Sequence, residues 1–254
     1  MTNPSTAELY DGAADTWVRT EPVLLSDYTA RPFVLERAGE LEGARVLDLG
    51  CGEGYVSRQL AARAPARLLS VDISSGMIDL ARAAEAAAPL GIDYRVASAT
   101  ELDLEEEFDL VLAVFLFNYL SCDEMCAVLK KVHDHLAPGG RFLFTAPHPA
   151  FPFLDRPAEP PFFFDTEGLD YFSARDRQLE GRIWRRDGES VPVRCVHKPM
   201  DEYSRALEQA GFTKAPRVTE LTVTAEHLEL DPEFFGPLRG LPLHVAFEVT
   251  RARD

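Results

Sequence analysis

Between residues 45 and 146, short apolar runs alternate with amphipathic stretches, and this alternation leaves few folds open to the chain. The runs are Arg45–Leu49, Leu68–Val71, Ile92–Val96, Phe108–Val114 and Arg141–Ala146. They are too short for helices, and four of the five meet Gly, Pro or Asp at one end or both, so they read as buried strands. Between them, Tyr55–Arg63 reads as a helix. A second helix starts at Ser74 or Ser75 as N-cap and runs through Met77, Leu80 and Ala81 to Ala88, before Pro89. A third opens at Asp123 and continues through Leu129 and Val132 to Leu136, where Pro138-Gly139-Gly140 stops it. Strand–helix–strand units at this spacing predict right-handed crossovers and a mostly parallel, doubly wound α/β sheet covered on both faces.

The rhythm breaks after Ala146. Residues 147–198 are rich in Pro and Phe, and Gly181–Arg186 and Glu189–His197 flank Asp187-Gly188, a hairpin signal. Asp201–Gln209, closed by Gly211, reads as a helix, and Arg217–Thr224 and Leu243–Thr250 as two further strands. Residues 1–40 are helical in tendency, with Pro22 and Pro32 as breaks. The expected organisation is one domain over 1–254: a helical lid (1–40), a core (41–146), an inserted cap with its hairpin (147–199), and a last helix with strands (200–254).

The formal net charge of −16 repels phosphate backbones and anionic lipid, so nucleic acid and membrane surfaces are not expected partners. Cys51, Cys122, Cys126 and Cys195 have no converging His or Cys set, which a zinc site requires, and read as free thiols of a reducing compartment. No basic start followed by an apolar run opens the chain, and no apolar stretch approaches the roughly 20 residues of a membrane span. A cytoplasmic protein is expected, with no metal centre.

The segment richest in chemistry is Val46-Leu-Asp-Leu-Gly-Cys-Gly-Glu-Gly54. A strand that ends in glycines and turns straight into a helix lets backbone approach a ligand, with helix N–H groups aimed at it. Gly50, Gly52 and Gly54 are spaced G-x-G-x-G, not the G-x-G-x-x-G of dinucleotide sites. Asp72 ends the second strand about 20 residues on, where a carboxylate can take both ribose hydroxyls, a feature an NAD site shares.

Asp48-x-Gly50-x-Gly52-x-Gly54, Asp72-Ile-Ser-x-x-Met77 and Leu136-Ala-Pro-Gly-Gly140 before the fifth strand together resemble the class I S-adenosylmethionine (SAM)-dependent methyltransferases of small molecules. That resemblance implies a seven-stranded sheet with one antiparallel strand. It also implies SAM as methyl donor, with S-adenosylhomocysteine (SAH) as product. It places Gly50, Cys51, Gly52 and Gly54 against the methionyl and ribose parts, with Asp48 anchoring the loop. Asp72 would hold the ribose, Ile73 and Met77 would sandwich the adenine, and Val114 would close the site at the end of the fourth strand. For Asp48 a purely loop-anchoring role, and for Met77 a core role, stay open. Where the family usually has an Asp for the adenine amine, this chain has Ala97-Ser98-Ala99, so that contact is expected to move to Ser98 or to backbone at Ala99. Tyr10 and Trp17 resemble an aromatic pair on a lid, Tyr10 meeting the methionyl carboxylate with Arg19 as the alternative; packing on the core is the other reading.

Methyl transfer is an in-line displacement that gains mostly from alignment and water exclusion. An O–H or N–H acceptor must still lose a proton. Asn118 and Tyr119, after the fourth strand, are candidates to orient the acceptor. His148, held between Pro147 and Pro149 after the fifth strand, is the first candidate base or acceptor ligand, and His197 a lesser one. His133 and His135, near a helix end, complement its dipole. An aromatic-rich cap suggests a planar or partly apolar acceptor; core packing of the Phe residues without any ligand is the other reading. Cyclisation or aminocarboxypropyl transfer on the same fold is the alternative chemistry, and a non-catalytic SAM-binding module a third reading.

Overall fold

The computed structural model describes residues 7–8, 10–11, 17–19, 21–154 and 162–253. Strands β1 (Arg45–Leu49), β2 (Arg67–Asp72), β3 (Asp93–Val96), β4 (Phe108–Val114), β5 (Leu136–Pro147), β9 (Arg217–Leu221) and β10 (His244–Thr250) form one seven-stranded sheet in the order β3-β2-β1-β4-β5-β10-β9. The pairs β3–β2, β2–β1, β1–β4 and β4–β5 are parallel, and β10 runs antiparallel to both neighbours. The chain winds outward from β1 in one direction through β3, then restarts at β4 in the other. The carboxyl ends of β1 and β4 therefore flank the crevice that such a switch point opens.

Helices α1 (Leu25–Tyr28), α2 (Ala30–Ala38), α3 (Tyr55–Ala61), α4 (Ser75–Ala87), α5 (Cys122–His135) and α6 (Met200–Gln209) follow the same order. On one face of the sheet, Val34, Ala38, Val56, Leu60, Ile78 and Ala81 pack against Val46, Leu68, Leu110 and Leu112. On the other, α5 and α6 cover Leu47, Leu69, Val111, Phe142, Phe144 and Phe247. The α5 stripe of Met125, Val128, Leu129 and Val132 has the i, i+3, i+4, i+7 spacing of a helix with one buried face.

Several boundaries move, each for a local reason. Ser121, not Asp123, caps α5: its hydroxyl accepts from Glu124 N, and the Glu124 carboxylate accepts from Ser121 N. Ser74 is the cap of α4, accepting from Met77 N at 3.1 Å. Pro32 is no break, because it lies in the first turn of α2, where a helix has no use for its N–H. Strand β5 begins at Leu136, ahead of Pro138-Gly139-Gly140, and those residues fall within it. The strand expected over Arg217–Thr224 stops at Leu221, since Thr224 caps a further helix, α7 (Ala225–Leu230), followed by α8 (Pro232–Phe235).

The insertion folds as a second, three-stranded antiparallel sheet of β6 (Phe162–Phe164), β7 (Gln178–Trp184) and β8 (Ser190–Val196). Its turn spans more than the Asp187-Gly188 pair. Arg185 N donates to Glu189 O, Gly188 N donates to Arg185 O, and Gly188 holds φ +88°. The tip is tied to the N-terminal segment, with Arg186 N donating to Val23 O at 2.9 Å and Leu24 bridging Arg185. A separate apolar cluster of Leu25, Phe151, Phe162, Phe164, Leu179, Val193, Phe235 and Leu243 holds this sheet over the carboxyl ends of the main one. Among the described residues, no helix is long and apolar enough to cross a membrane.

Candidate functional site

One cavity of about 440 Å³ opens above the switch point, within the range of small-molecule sites. Its floor is the turn after β1. Gly50 and Cys51 donate their N–H groups to Val71 O at 2.8 and 3.0 Å, which pins the turn to the end of β2. Gly50 and Gly52 hold φ of +71° and +56°, backbone that a side chain would strain, and both line the cavity. Gly54 does not line it. It precedes α3 at φ +84°, where a Cβ would run into the Tyr94 hydroxyl, so its lack of a side chain serves packing behind the turn rather than contact with a ligand.

Asp72 faces this turn. One carboxylate oxygen accepts from Gly52 N and the other from Ser74 N, each at 2.9 Å, and burial pushes the carboxyl up despite these bonds. Asp48, beneath the turn, accepts from the Ser57 hydroxyl at 2.6 Å through Oδ2, while Oδ1 is buried without a partner among the described residues. Burial raises its carboxyl to about 6, and the nearby charge of Asp72 adds to the effect. Two carboxylates with spare acceptor capacity, held in a buried site, call for a ligand that brings donors or positive charge.

Ile73, 47% exposed, and the buried Met77 both line the cavity, as do Cys51, Ala97, Ser98, Ala99 and Val114. Burial keeps the Cys51 thiol protonated. The Ser98 hydroxyl shares a 2.7 Å hydrogen bond with Thr100 Oγ1, so the segment after β3 offers a paired hydroxyl where a carboxylate is usual. Asp11, which sequence reasoning did not single out, accepts from the Ser74 hydroxyl and from Gly76 N, tying the N-terminal segment to the start of α4.

The far side of the cavity is aromatic. Phe115, Leu116, Asn118 and Tyr119 follow β4, and Phe162, Phe164, Ile183, Trp184 and Val193 descend from the cap sheet. The Tyr10 hydroxyl donates to Tyr119 Oη, and the Tyr10 ring lies 5.4 Å from those of Trp17 and Tyr119. Asn118 is buried and its Oδ1 has no partner among the described residues. Arg19 is bound in place, its guanidinium pairing with both oxygens of Asp27 and with Glu53 Oε1 at 3.0 Å, over the Tyr55 ring. Arg31, which sequence reasoning missed, also lines the cavity and pairs with Asp27 Oδ1 at 2.9 Å.

The structure brings Asn118 and Tyr119 to this wall but not His148. His148 is 6% exposed and outside the cavity lining. Its Nε2 bonds Glu220 at 2.8 Å and its Nδ1 accepts from Ala150 N, so the Pro-flanked loop turns the ring toward β9. His197 is likewise structural, with Nε2 on the Tyr171 carbonyl, and burial lowers its pKa. The histidine that lines the cavity is His244, the first residue of β10. Its position could have been inferred, because a last strand antiparallel to β5 starts where β5 ends, and His244 pairs with Pro147.

A family model for a methyltransferase domain matches residues 46–140. The chain is 28% identical over 200 residues to N-demethylindolmycin N-methyltransferase of Streptomyces griseus, covering 74% of this chain and 73% of that protein. It is 34% identical over 146 residues to trans-aconitate 2-methyltransferase of Streptomyces avermitilis, a match that spans 53% of this chain and only 52% of that relative. The crystal structure of a SAM-dependent methyltransferase from Mesorhizobium loti superposes with a TM-score of 0.65 at 25% identity, over 87% of this chain and 98% of that one. A methyltransferase domain thus occupies residues 46–140, on the fold of the SAM-dependent methyltransferases. The residues of this methyltransferase fit that cofactor. The turn at Gly50 and Gly52 leaves backbone open to it, Asp72 retains lone pairs for a diol, and the orphaned Asp48 Oδ1 suits the cationic end of an amino acid.

Proposed function

We propose that this methyltransferase acts on a small-molecule acceptor held between the end of β4 and the cap sheet. One observation carries the reading. A single cavity joins the glycine turn and Asp72 to an aromatic wall made by Phe115, Tyr119, Phe162, Phe164 and Trp184. Donor and acceptor can therefore meet without leaving the protein. The names of the relatives point the same way, since one acts on N-demethylindolmycin and another on trans-aconitate.

Bound at the turn, SAM supplies an electrophilic methyl group on a positively charged sulfur. In this reading the chain's own residues bind, align and dehydrate. Asp72 takes the ribose hydroxyls, and Ile73 and Met77 flank the adenine, with Ser98 and Ala99 at its edge. Arg31 takes the methionyl carboxylate in place of Tyr10 or Arg19, because Tyr10 is bonded to Tyr119 and all three Arg19 nitrogens are engaged, whereas Arg31 bonds Ser26 and Asp27 through Nη1 alone. Tyr10 and Trp17 then act as a lid, and Asn118 and Tyr119 orient the acceptor. Water exclusion by the cap strengthens every electrostatic contact within.

The test is calorimetry with SAH, followed by the same titration of Asp72→Ala. A diol held by a charged acceptor is worth about 3 kcal/mol, so the variant should bind about 100-fold more weakly. Unchanged affinity in Asp72→Ala would remove the ribose assignment. Incubation of the protein and SAM with panels of amines, phenols and carboxylic acids, read as SAH release, then identifies the acceptor class.

A further inference from the structure

His244 and Thr29 meet where the α1–α2 junction packs against the start of β10. The Thr29 hydroxyl lies 3.1 Å from the carbonyl oxygen of Leu25 and 2.8 Å from His244 Nδ1. A carbonyl oxygen can only accept, so the arrangement that makes both contacts hydrogen bonds puts the hydroxyl proton on Leu25 O, which also accepts from Thr29 N. The second contact is a hydrogen bond only if Nδ1 carries a hydrogen and donates it to Thr29. Burial, with Arg31 and His148 nearby, pushes the His244 pKa down to about 3, so the ring is neutral and carries a single N–H. Its other nitrogen, Nε2, is then a bare lone pair.

No described residue bonds Nε2, although the ring lines the cavity. Phe162 stacks on the ring at 5.9 Å and 9°, and Phe115 meets it edge-on at 5.0 Å, which fixes its plane. These aromatic neighbours offer no donor in the plane of the imidazole. The acceptor wall thus carries an oriented lone pair that no described residue satisfies, in addition to the unpartnered Asn118 Oδ1.

We infer that His244 Nε2 accepts a hydrogen bond from the acceptor substrate, with Thr29 as the positioning residue that sets the tautomer. This rests on the methyltransferase reading and narrows it to acceptors that present an N–H or O–H. The ring aligns the group rather than keeping its proton, since an imidazolium here would sit buried beside Arg31. A fully alkylated analogue, having no hydrogen to donate, leaves Nε2 unpaired and is rejected.

The experiment has three arms. Calorimetry with SAH comes first, and absence of binding overturns this inference along with the reading beneath it. With SAH bound, long-range 15N–1H spectra of histidine-labelled protein should show His244 protonated at Nδ1. Thr29→Val should release that constraint, whereas Thr29→Ser should keep it. An Nε2-protonated ring in the wild type overturns the inference. Finally, ligand-observed titrations of the SAH complex use indole and 1-methylindole, flat probes that differ by one N–H. Indole should bind about tenfold more tightly, the worth of one buried hydrogen bond. His244→Phe should erase the difference, and His244→Gln, which returns an acceptor near the Nε2 position, should restore part of it. Equal affinities in the wild type, or full discrimination in His244→Phe, refute the role even while SAH binding stands.

Discussion

Replacing Asp48 with Asn should make the ligand-free protein more stable above neutral pH while weakening its hold on SAH. Burial raises the Asp48 carboxyl from an ordinary 3.8 to about 6. The folded state therefore binds this proton more tightly than the unfolded chain does. Stability from this group is fully present below about pH 3.8, declines as pH rises through 6, and is then absent. The whole difference corresponds to about 3 kcal/mol, of which about 1.4 kcal/mol is lost between pH 5 and 7.5. Asn cannot titrate, so the stability difference between variant and wild type should grow by that amount over this interval. A constant offset from the new amide, which has no better partner than Oδ1 had, shifts the curve but not its slope. Urea unfolding of both proteins at several pH values measures this. With a slope of about 2–3 kcal/mol/M, the midpoint gap should widen by about 0.5 M between pH 5 and 7.5. The same variant should bind SAH about tenfold more weakly, because the orphaned oxygen is the one proposed to serve the ligand's cationic end. Parallel pH profiles for the two proteins would refute the account of a buried, underpaired carboxylate.

Three further substitutions probe the supports of the site. Gly54→Ala drives a methyl group into the Tyr94 hydroxyl from a left-handed backbone, and should cost about 2–4 kcal/mol by thermal or urea unfolding. Tyr94→Phe, which removes a hydroxyl with no partner among the described residues, should be close to neutral alone and recover part of that loss in the double variant. Lys198 is buried, and its ammonium donates to the carbonyls of Phe117, Leu120 and Val196, clamping the Asn118–Tyr119 turn to strand β8. Lys198→Met should lower Tm by about 10 °C, since it strands those carbonyls. It should also reduce turnover more than SAH affinity, since the acceptor side loosens while the turn after β1 stays intact.

Much of the core was legible because its signals are local. Strand β4 matches its expected limits of Phe108 and Val114, since a continuous apolar run buried on both faces has only one way to fold in an α/β sheet. The glycine turn and the placing of Asp72 beside it were legible for a similar reason. A strand that ends in glycines must turn there, and the residue that ends the neighbouring parallel strand lies next to that turn. Gly54 shows the limit of that reasoning, as the spacing that marks it for a ligand also suits a tight fit against Tyr94.

The far wall of the cavity was far less legible. His148 has a Pro-flanked loop at the right strand end and still turns away, because Glu220 on β9 offers its ring a partner outside the cavity. His244 carries no local motif and enters the site only because β10 runs antiparallel beside β5. Arg31 reaches the cavity through the α2 helix, whose start at Ala30 is hidden in sequence by Pro32. The sequence by itself determined the parallel core, the cofactor turn and the presence of an aromatic insertion, since each follows from periodicity or from backbone chemistry within a few residues. Only the tertiary structure decided which side chains line the far wall of the cavity, because a wall assembled from β4, β10, α2 and the cap sheet depends on contacts between residues more than 200 positions apart, such as Thr29 with His244.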